Sequence, residues 1–200
     1  MITDPAWQML AAAVRGVSPV PDDDLAALVA VSRMQTLRRG EALLRAGEPA
    51  RHGAVVVDGG LCEHYELADG SRRTTSFSLP GSFAGSLSDL LGTAAGSVSQ
   101  AWVVAEVPSS VLVVPWDRYL ALADTRPAWS RFARRLAEIL YLQKAAREYE
   151  LLALDAAERY RRTLARYPGV EAVFRQYHIA SYVGVTPQHL SRLRAAASPR

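Results

Sequence analysis

The chain has 200 residues, half of them hydrophobic and 22% charged, the balance of a globular protein of one or two small domains. No apolar run approaches the ~18 residues of a membrane span, and the N-terminus, Met-Ile-Thr-Asp-Pro-Ala-Trp-Gln, lacks the basic start and apolar core of a secretory signal. A cytoplasmic location without a membrane partner is therefore expected. The single cysteine, Cys62, excludes an internal disulfide and cannot by itself cage zinc or an iron–sulfur cluster, so no metal and no resident cofactor are expected.

The first thirty-odd residues read as two helices. Trp7, Leu10, Ala11 and Val14 recur at helical spacing before Gly16, and Pro21-Asp22 open a second helix carrying Leu25, Leu28 and Val29. From about Thr36 the pattern changes to short runs divided by glycines, at 54–57, 61–67, 72–78, 101–107 and 111–115. Short strands with turns at this density predict an antiparallel sandwich or barrel, with Asp58-Gly59-Gly60 and Asp69-Gly70 as hairpin turns. After Trp116 the chain is helical. A short helix is expected over 117–123, and a long one from about 128 to 152 after Arg126-Pro127. On the long helix Phe132, Leu136, Ile139, Gln143 and Ala146 recur at alternating fours and threes, the spacing of a coiled-coil seam. A helix of roughly 25 residues is ~37 Å long, too long to bury one stripe against a small sandwich, so pairing with its copy in a second chain is expected. Asp155 and Glu158 form a capping box for the next helix, which carries Arg159, Arg161, Arg162 and Arg166 and ends near Tyr167-Pro168-Gly169.

The stretch 177–194 spells two short helices and a tight turn. Ile179, Ala180 and Val183 form one apolar face, Gly184 supplies the turn, Thr186 is an N-cap, and Pro187 takes the first helical position. Leu190 and Leu193 point inward, leaving Gln188, Ser191, Arg192 and Ala195 outward. This pattern predicts a helix-turn-helix whose outer side chains suit base edges and phosphates of double-stranded DNA. Charge agrees with that reading: residues 1–125 carry 9 Lys and Arg against 14 Asp and Glu, whereas residues 126–200 carry 14 against 6. An acidic front is thus joined to a basic back that suits a polyanion. Only Ala195 to Arg200 is expected to fray.

A glycine-punctuated β-roll, a long helix and a C-terminal helix-turn-helix together resemble the Crp/Fnr family of bacterial transcriptional regulators over nearly the whole chain. The resemblance is carried by Ala156-Ala157-Glu158-Arg159-Tyr160, by Tyr167-Pro168, and by Ile179-Ala180-Ser181-Tyr182-Val183-Gly184-Val185-Thr186-Pro187 leading to Leu190-Ser191-Arg192. Gly59-Gly60, Asp69-Gly70 and Leu79-Pro80-Gly81-Ser82-Phe83 extend it into the front half. It implies an α+β chain: a cyclic-nucleotide-binding-like, jelly-roll antiparallel β-roll with flanking helices over 1–125, a long dimerisation helix over 126–153, and a helix-turn-helix domain over 154–200. It further implies a homodimer on an inverted-repeat site, with RNA polymerase as a partner and a small-molecule effector in the roll.

On this resemblance Ser181, Thr186, Gln188, His189, Ser191 and Arg192 are the DNA-contacting set, with Arg192 forking onto guanine O6 and N7. Family members commonly carry Glu where this chain has Gln188, so a different half-site is implied. The effector pocket would comprise Arg72, Phe83, Gly85, Ser86, Leu87, Ser99 and Gln100. Cyclic-AMP-binding members carry Glu at the site of Ser86 and Arg at the site of Ser99 or Gln100. A buried phosphate needs a paired cation or an array of N–H donors, so the expected effector is unknown and not cyclic AMP. Two alternatives stand beside this reading. One is a cyclic-nucleotide-responsive regulator with an atypical pocket. The other, more distant, is a β-roll enzyme of the cupin type, for which His52, His64, Glu63 and Glu66 lack ligand spacing; no enzyme activity is expected.

Overall fold

A computed structural model describes residues 4–93 and 96–197. Helices α1 (Pro5–Val17) and α2 (Asp22–Val31) begin for local reasons. Asp4 accepts from the Ala6 N–H at 2.8 Å with Pro5 in the first turn of α1, and three aspartates fill the first turn of α2. The strands follow: β1 (Arg33–Leu37), β2 (Ala42–Leu44), β3 (His52–Asp58), β4 (Leu61–Glu66), β5 (Arg72–Ser78), β6 (Phe83–Ala84), β7 (Trp102–Ala105) and β8 (Ser109–Pro115). They form two antiparallel four-stranded sheets, the first ordered β1-β8-β3-β6 and the second β2-β7-β4-β5. A short helix, α3 (Leu87–Thr93), lies between β6 and β7.

The two expected hairpin turns part company here. Asp69-Gly70 does join the paired strands β4 and β5, with the Leu67 N–H donating to Ser71 O at 2.9 Å. Asp58-Gly59-Gly60 instead carries the chain from the first sheet to the second, because β3 pairs with β6 and β8 while β4 pairs with β5 and β7. It is a corner of the roll.

Strand alternation divides the apolar residues among three layers. Ala54, Val56, Val111 and Val113 of the first sheet meet Leu61, Val103 and Ala105 of the second inside the roll. Val55 and Leu112 face outward from the first sheet and are covered by Leu10, Val14, Leu25, Leu28, Tyr119, Trp129 and Phe132 from the surrounding helices. Cys62 and Phe77 face outward from the second sheet, beneath the C-terminal helices.

After α4 (Trp116–Thr125) the long helix α5 spans Pro127–Ala153, 27 residues. The expected seam does not run its length as an open face. Phe132 is buried in the chain's own core between the first sheet and the N-terminal helices, 5.8 Å from the Phe83 ring, and Leu136 packs against that core. Ile139 is half-buried, while Gln143 and Ala146 are exposed. The most exposed large apolar residues of α5 are Tyr141 (73% exposed), Leu142 (62%), Tyr149 (57%) and Leu152 (81%), with Leu151 at 49%. By helical geometry Leu142 and Tyr149 lie about a quarter-turn around α5 from that seam, and Tyr141 and Leu152 about half a turn from it. The remaining helices are α6 (Ala156–Arg166), α7 (Val170–Val173), α8 (Gln176–Val183) and α9 (Pro187–Ala197). Of the residues expected to fray, 195–197 continue α9, and the last three lie outside the described residues.

Candidate nucleic-acid interface

Helices α8 and α9 form the helix-turn-helix by the local chemistry anticipated. Gly184 adopts φ +78°, a conformation glycine takes without strain, and its N–H and that of Val185 donate to Ala180 O at 2.9 and 3.0 Å. Thr186 Oγ1 accepts from the His189 N–H at 3.2 Å, capping α9 at its first turn. Leu190 is fully buried and Leu193 packs beside it. Thr186, Gln188, Ser191 and Arg192 are exposed and His189 is half-buried. Arg192 forms no ion pair among the described residues, whereas Arg194 is held by Glu171 at 2.9 Å and anchors α9 to α7.

Ser181 departs from the expected set. Its hydroxyl accepts from the Thr74 N–H at 3.0 Å and donates to Arg72 O at 3.2 Å, so it is committed to β5 and not to the outer surface. The reason is that α8 lies across the outer face of the second sheet. His178, one turn earlier, is fully buried there; its Nδ1 lies 3.5 Å from both Cys62 Sγ and Thr74 Oγ1, and its Nε2 lies 2.9 Å from Glu106 Oε1. Burial pushes the Cys62 thiol up to about 12, against the Thr74 hydrogen bond, leaving a protonated and unreactive thiol at neutral pH. Phe77 of β5 meets Phe174, Tyr167 and Tyr182 at ring separations of 4.6, 5.3 and 5.4 Å. Gly60, at the roll's corner, is approached so closely that a Cβ there would lie 2.5 Å from Val173 Cγ1 and 2.9 Å from Phe174 Cζ.

The arginines of α6 mostly tie the module together. Arg166 donates to Glu150 at 2.6 Å and to the Tyr182 hydroxyl at 2.8 Å, and Arg159 donates to Val183 O at 2.8 Å and Leu154 O at 2.6 Å. Arg147 of α5 reaches Glu150 at 3.5 Å and the Tyr182 carbonyl. Glu150 is thus a buried hub, 1% exposed, at the joint between long helix and helix-turn-helix. Burial raises its carboxyl, but Arg166 and Arg147 outweigh that and hold it below the ordinary carboxylate value. Arg161 and Arg162 both pair with Glu158 yet remain exposed. The sequence pattern does not single out Glu150; its spacing to Arg147 one turn earlier is the available signal.

The expected effector residues do not assemble into one cationic pocket. Ser86 and Ser99 are buried, Phe83 and Leu87 are half-buried, and Gln100 is exposed. Ser99 donates to Asp89 at 2.5 Å, and the Ala101 N–H donates to the same carboxylate oxygen at 3.3 Å. Ser86 shares a hydrogen bond with Ser88 at 3.1 Å. Gly85 pairs with none of them; its backbone lies near His52 O and the Gly53 Cα. Arg72 is on the other side of the sheet: it stands across from Glu66 in the β4–β5 register, with Nε 3.8 Å from the carboxylate, on the outer face that carries His64.

Against that geometry stand the known proteins. Residues 34–126 match the family model of the cyclic nucleotide-binding domain. The chain superposes on FixK2 from Bradyrhizobium japonicum with a TM-score of 0.72 at 24% identity, covering 83% of this chain and 84% of that one. It superposes on the c-di-GMP-responsive global regulator CLP of Xanthomonas campestris with a TM-score of 0.65 at 17% identity, covering 88% and 91%. The catabolite activator protein of Thermus thermophilus gives 0.55 at 21% identity, covering 90% and 84%. No curated protein sequence matches the chain. The architecture is therefore that of a β-roll joined by a long helix to a helix-turn-helix. The chain shares the fold of these proteins, and residues 34–126 are similar to the cyclic nucleotide-binding domain.

Proposed function

We propose that the chain is a cytoplasmic, sequence-specific regulator of transcription that binds double-stranded DNA as a homodimer on an inverted repeat, with RNA polymerase as its downstream partner. The observation that carries this reading is the exposed face of α9, where Gln188, Ser191 and Arg192 stand clear and the Arg192 guanidinium has no ion-pair partner among the described residues. Arg192 suits guanine O6 and N7, Gln188 suits adenine N6 and N7, and Thr186 and His189 stand beside the helix start within reach of phosphate. The domains at 1–125, 126–153 and 154–200 would then sense, pair and read. Two recognition helices ~34 Å apart would enter successive major grooves.

The dimer contact in this reading is centred on Tyr141, Leu142, Tyr149 and Leu152, with Gln143 and Ala146 beside it. Cyclic nucleotide is disfavoured as effector because the Asp89 carboxylate occupies the Ser99 and Ala101 donors, and a second buried anion there would be repelled. The match at 34–126 favours the alternative of a nucleotide-responsive regulator; calorimetric titration with cyclic AMP and cyclic GMP decides between them.

Selection of random duplex DNA on the purified protein tests the main reading. The expected result is a two-fold-symmetric site, bound by wild type and with relaxed base preference by Arg192→Ala, a loss of about 1–3 kcal/mol of discrimination. Enrichment of no sequence by folded dimeric protein, with and without cyclic nucleotide, overturns it.

A further inference from the structure

Helix α3 and the chain entering β7 are tied together by one carboxylate. Asp89 accepts from the Ser99 hydroxyl at 2.5 Å and from the Ala101 N–H at 3.3 Å, both on the same oxygen. We propose that this carboxylate is a built-in anion: it fills a seat for a small carboxylate formed by Ser99 and Ala101, and by filling it holds α3 closed on the roll without any external anion.

The backbone prepares the seat. The Gly47 N–H donates to Ser99 O and the Ser99 N–H donates to Glu48 O, each at 2.9 Å, so both sides of Ser99 are clamped to the loop between β2 and β3. Ser99 and Ala101 are both fully buried. Their donors converge on a fixed place removed from water, where a hydrogen bond to a charged oxygen is stronger than one to a neutral group. Two further contacts hold α3 beside Asp89. Leu90, the next residue, is buried among the side chains inside the roll. At Gly92 the returning chain comes so near that a Cβ would lie 2.5 Å from Ser97 Oγ.

An anion carried by the chain itself meets its seat at an effective concentration that a dissolved carboxylate does not match. On the proposed function, a regulator whose roll holds its own anion does not await an anionic effector. That consequence rests on the regulator reading; occupation of the seat does not.

Asp89→Ala in the full chain empties the seat, and thermal unfolding in sodium acetate is compared with sodium chloride of equal ionic strength. In chloride the variant should melt below wild type by about 3 °C or more. Acetate should restore most of that loss, saturating by about 100 mM. Wild type and Asp89→Asn, whose amide keeps the seat filled, should respond alike to both salts. Asp89→Ala with Ser99→Ala, lacking a donor as well as the occupant, should lose the acetate response. If Asp89→Ala does not fold in chloride, recovery of folded protein in acetate supports the seat, and failure in both salts overturns it. A melting temperature equal to that of wild type overturns it too, as does an equal acetate response in the double variant. So does a loss that acetate leaves in place, the result expected if the Ser99 hydroxyl turns instead to Ala101 O, 2.9 Å away. No readout involves DNA, so the seat and the regulator reading can each fail alone.

Discussion

His178 Nε2 lies 2.9 Å from Glu106 Oε1, in a contact that joins the first helix of the helix-turn-helix to the chain leaving β7 of the roll. Both groups are removed from solvent, and the same imidazole reaches Cys62 and Thr74 through its other nitrogen. The helix-turn-helix is thus fixed to the roll by one side chain that touches both β4 and β5, with Ser181 adding two hydrogen bonds to the β5 backbone.

That contact has an acid limit. Burial raises the Glu106 carboxyl, but His178, followed by Arg39 and His64, outweighs it and holds the group below its ordinary 4.5. The unfolded or undocked chain then takes up the proton first as pH falls. The stabilisation is complete above 4.5 and is lost as pH drops through the depressed value. His64, lowered from 6.5 chiefly by burial and next by Arg72, acts at higher pH: its contribution is full above 6.5 and declines below it. Thermal unfolding from about pH 7 down to about pH 2 should show both losses, that of His64 beginning near 6.5 and that of Glu106 only below 4.5. His178→Ala should flatten the lower one. An unchanged acid profile in that variant would remove His178 from the account.

Gly60 sets a steric condition on docking. A methyl group there meets Val173 Cγ1 at 2.5 Å and Phe174 at 2.9 Å, and the corner is held from behind by the Ser109 hydroxyl, which accepts from the Gly60 N–H at 3.0 Å. Overpacking of this kind costs about 1–3 kcal/mol. Gly60→Val should therefore loosen α7 and α8 from the second sheet while the roll stays folded. Cys62 is the chain's one cysteine, fully buried beneath α8, and serves as the probe. Its labelling should accelerate at least about tenfold in the variant, the equivalent of 1.4 kcal/mol of added opening. Equal rates in the two proteins would show that the interface absorbs the side chain.

Glu150 governs the other joint. Its carboxylate is 1% exposed and is met by Arg166 at 2.6 Å, while Arg166 also holds the Tyr182 hydroxyl at 2.8 Å. Removing one partner of such a pair leaves the other buried charge uncompensated. Glu150→Ala should cost about 3 kcal/mol by denaturant titration. Glu150→Leu with Arg166→Met should recover much of it, because well-packed apolar replacements avoid the desolvation of both charges. A loss under about 0.5 kcal/mol would class the pair with exposed ion pairs.

The sequence was most legible where local chemistry decides structure. Gly184, Thr186 and Pro187 make the turn and the α9 start by backbone preference alone, and the Asp155 cap, which accepts from the Glu158 N–H at 2.8 Å, does the same for α6. Strands β3, β4, β5, β7 and β8 are visible as short runs divided by glycines; β1, β2 and β6 are not, being two to five residues long with few inward side chains. The corner at Gly59-Gly60 carries the composition of a hairpin turn, and only long-range pairing distinguishes the two. Ser181 and the front of the seam, Phe132 and Leu136, share one feature: another part of the same chain covers them. Helical spacing identifies which residues share a face, but not whether another part of the same chain already covers it.

The stripe left open on α5 gives the remaining prediction. Tyr141, Leu142, Tyr149 and Leu152 are each more than half exposed, on the side away from Glu150 and the helix-turn-helix. Each large apolar side chain withdrawn from water contributes about 1.5–3 kcal/mol. A four-residue patch of this size exceeds what isolated surface hydrophobes explain and fits a self-complementary contact between two copies. Leu142→Glu with Leu152→Glu places like charges across any two-fold contact while touching neither the roll's core nor the Arg166 network. Sedimentation should show a dimer in wild type and a folded monomer in the double variant. The pair Phe132→Leu and Gln143→Ala, drawn from the seam that helical spacing predicts, should instead lower the melting temperature through Phe132 with little change in assembly. A double glutamate variant that remains dimeric would move the interface off this stripe and back toward Gln143 and Ala146.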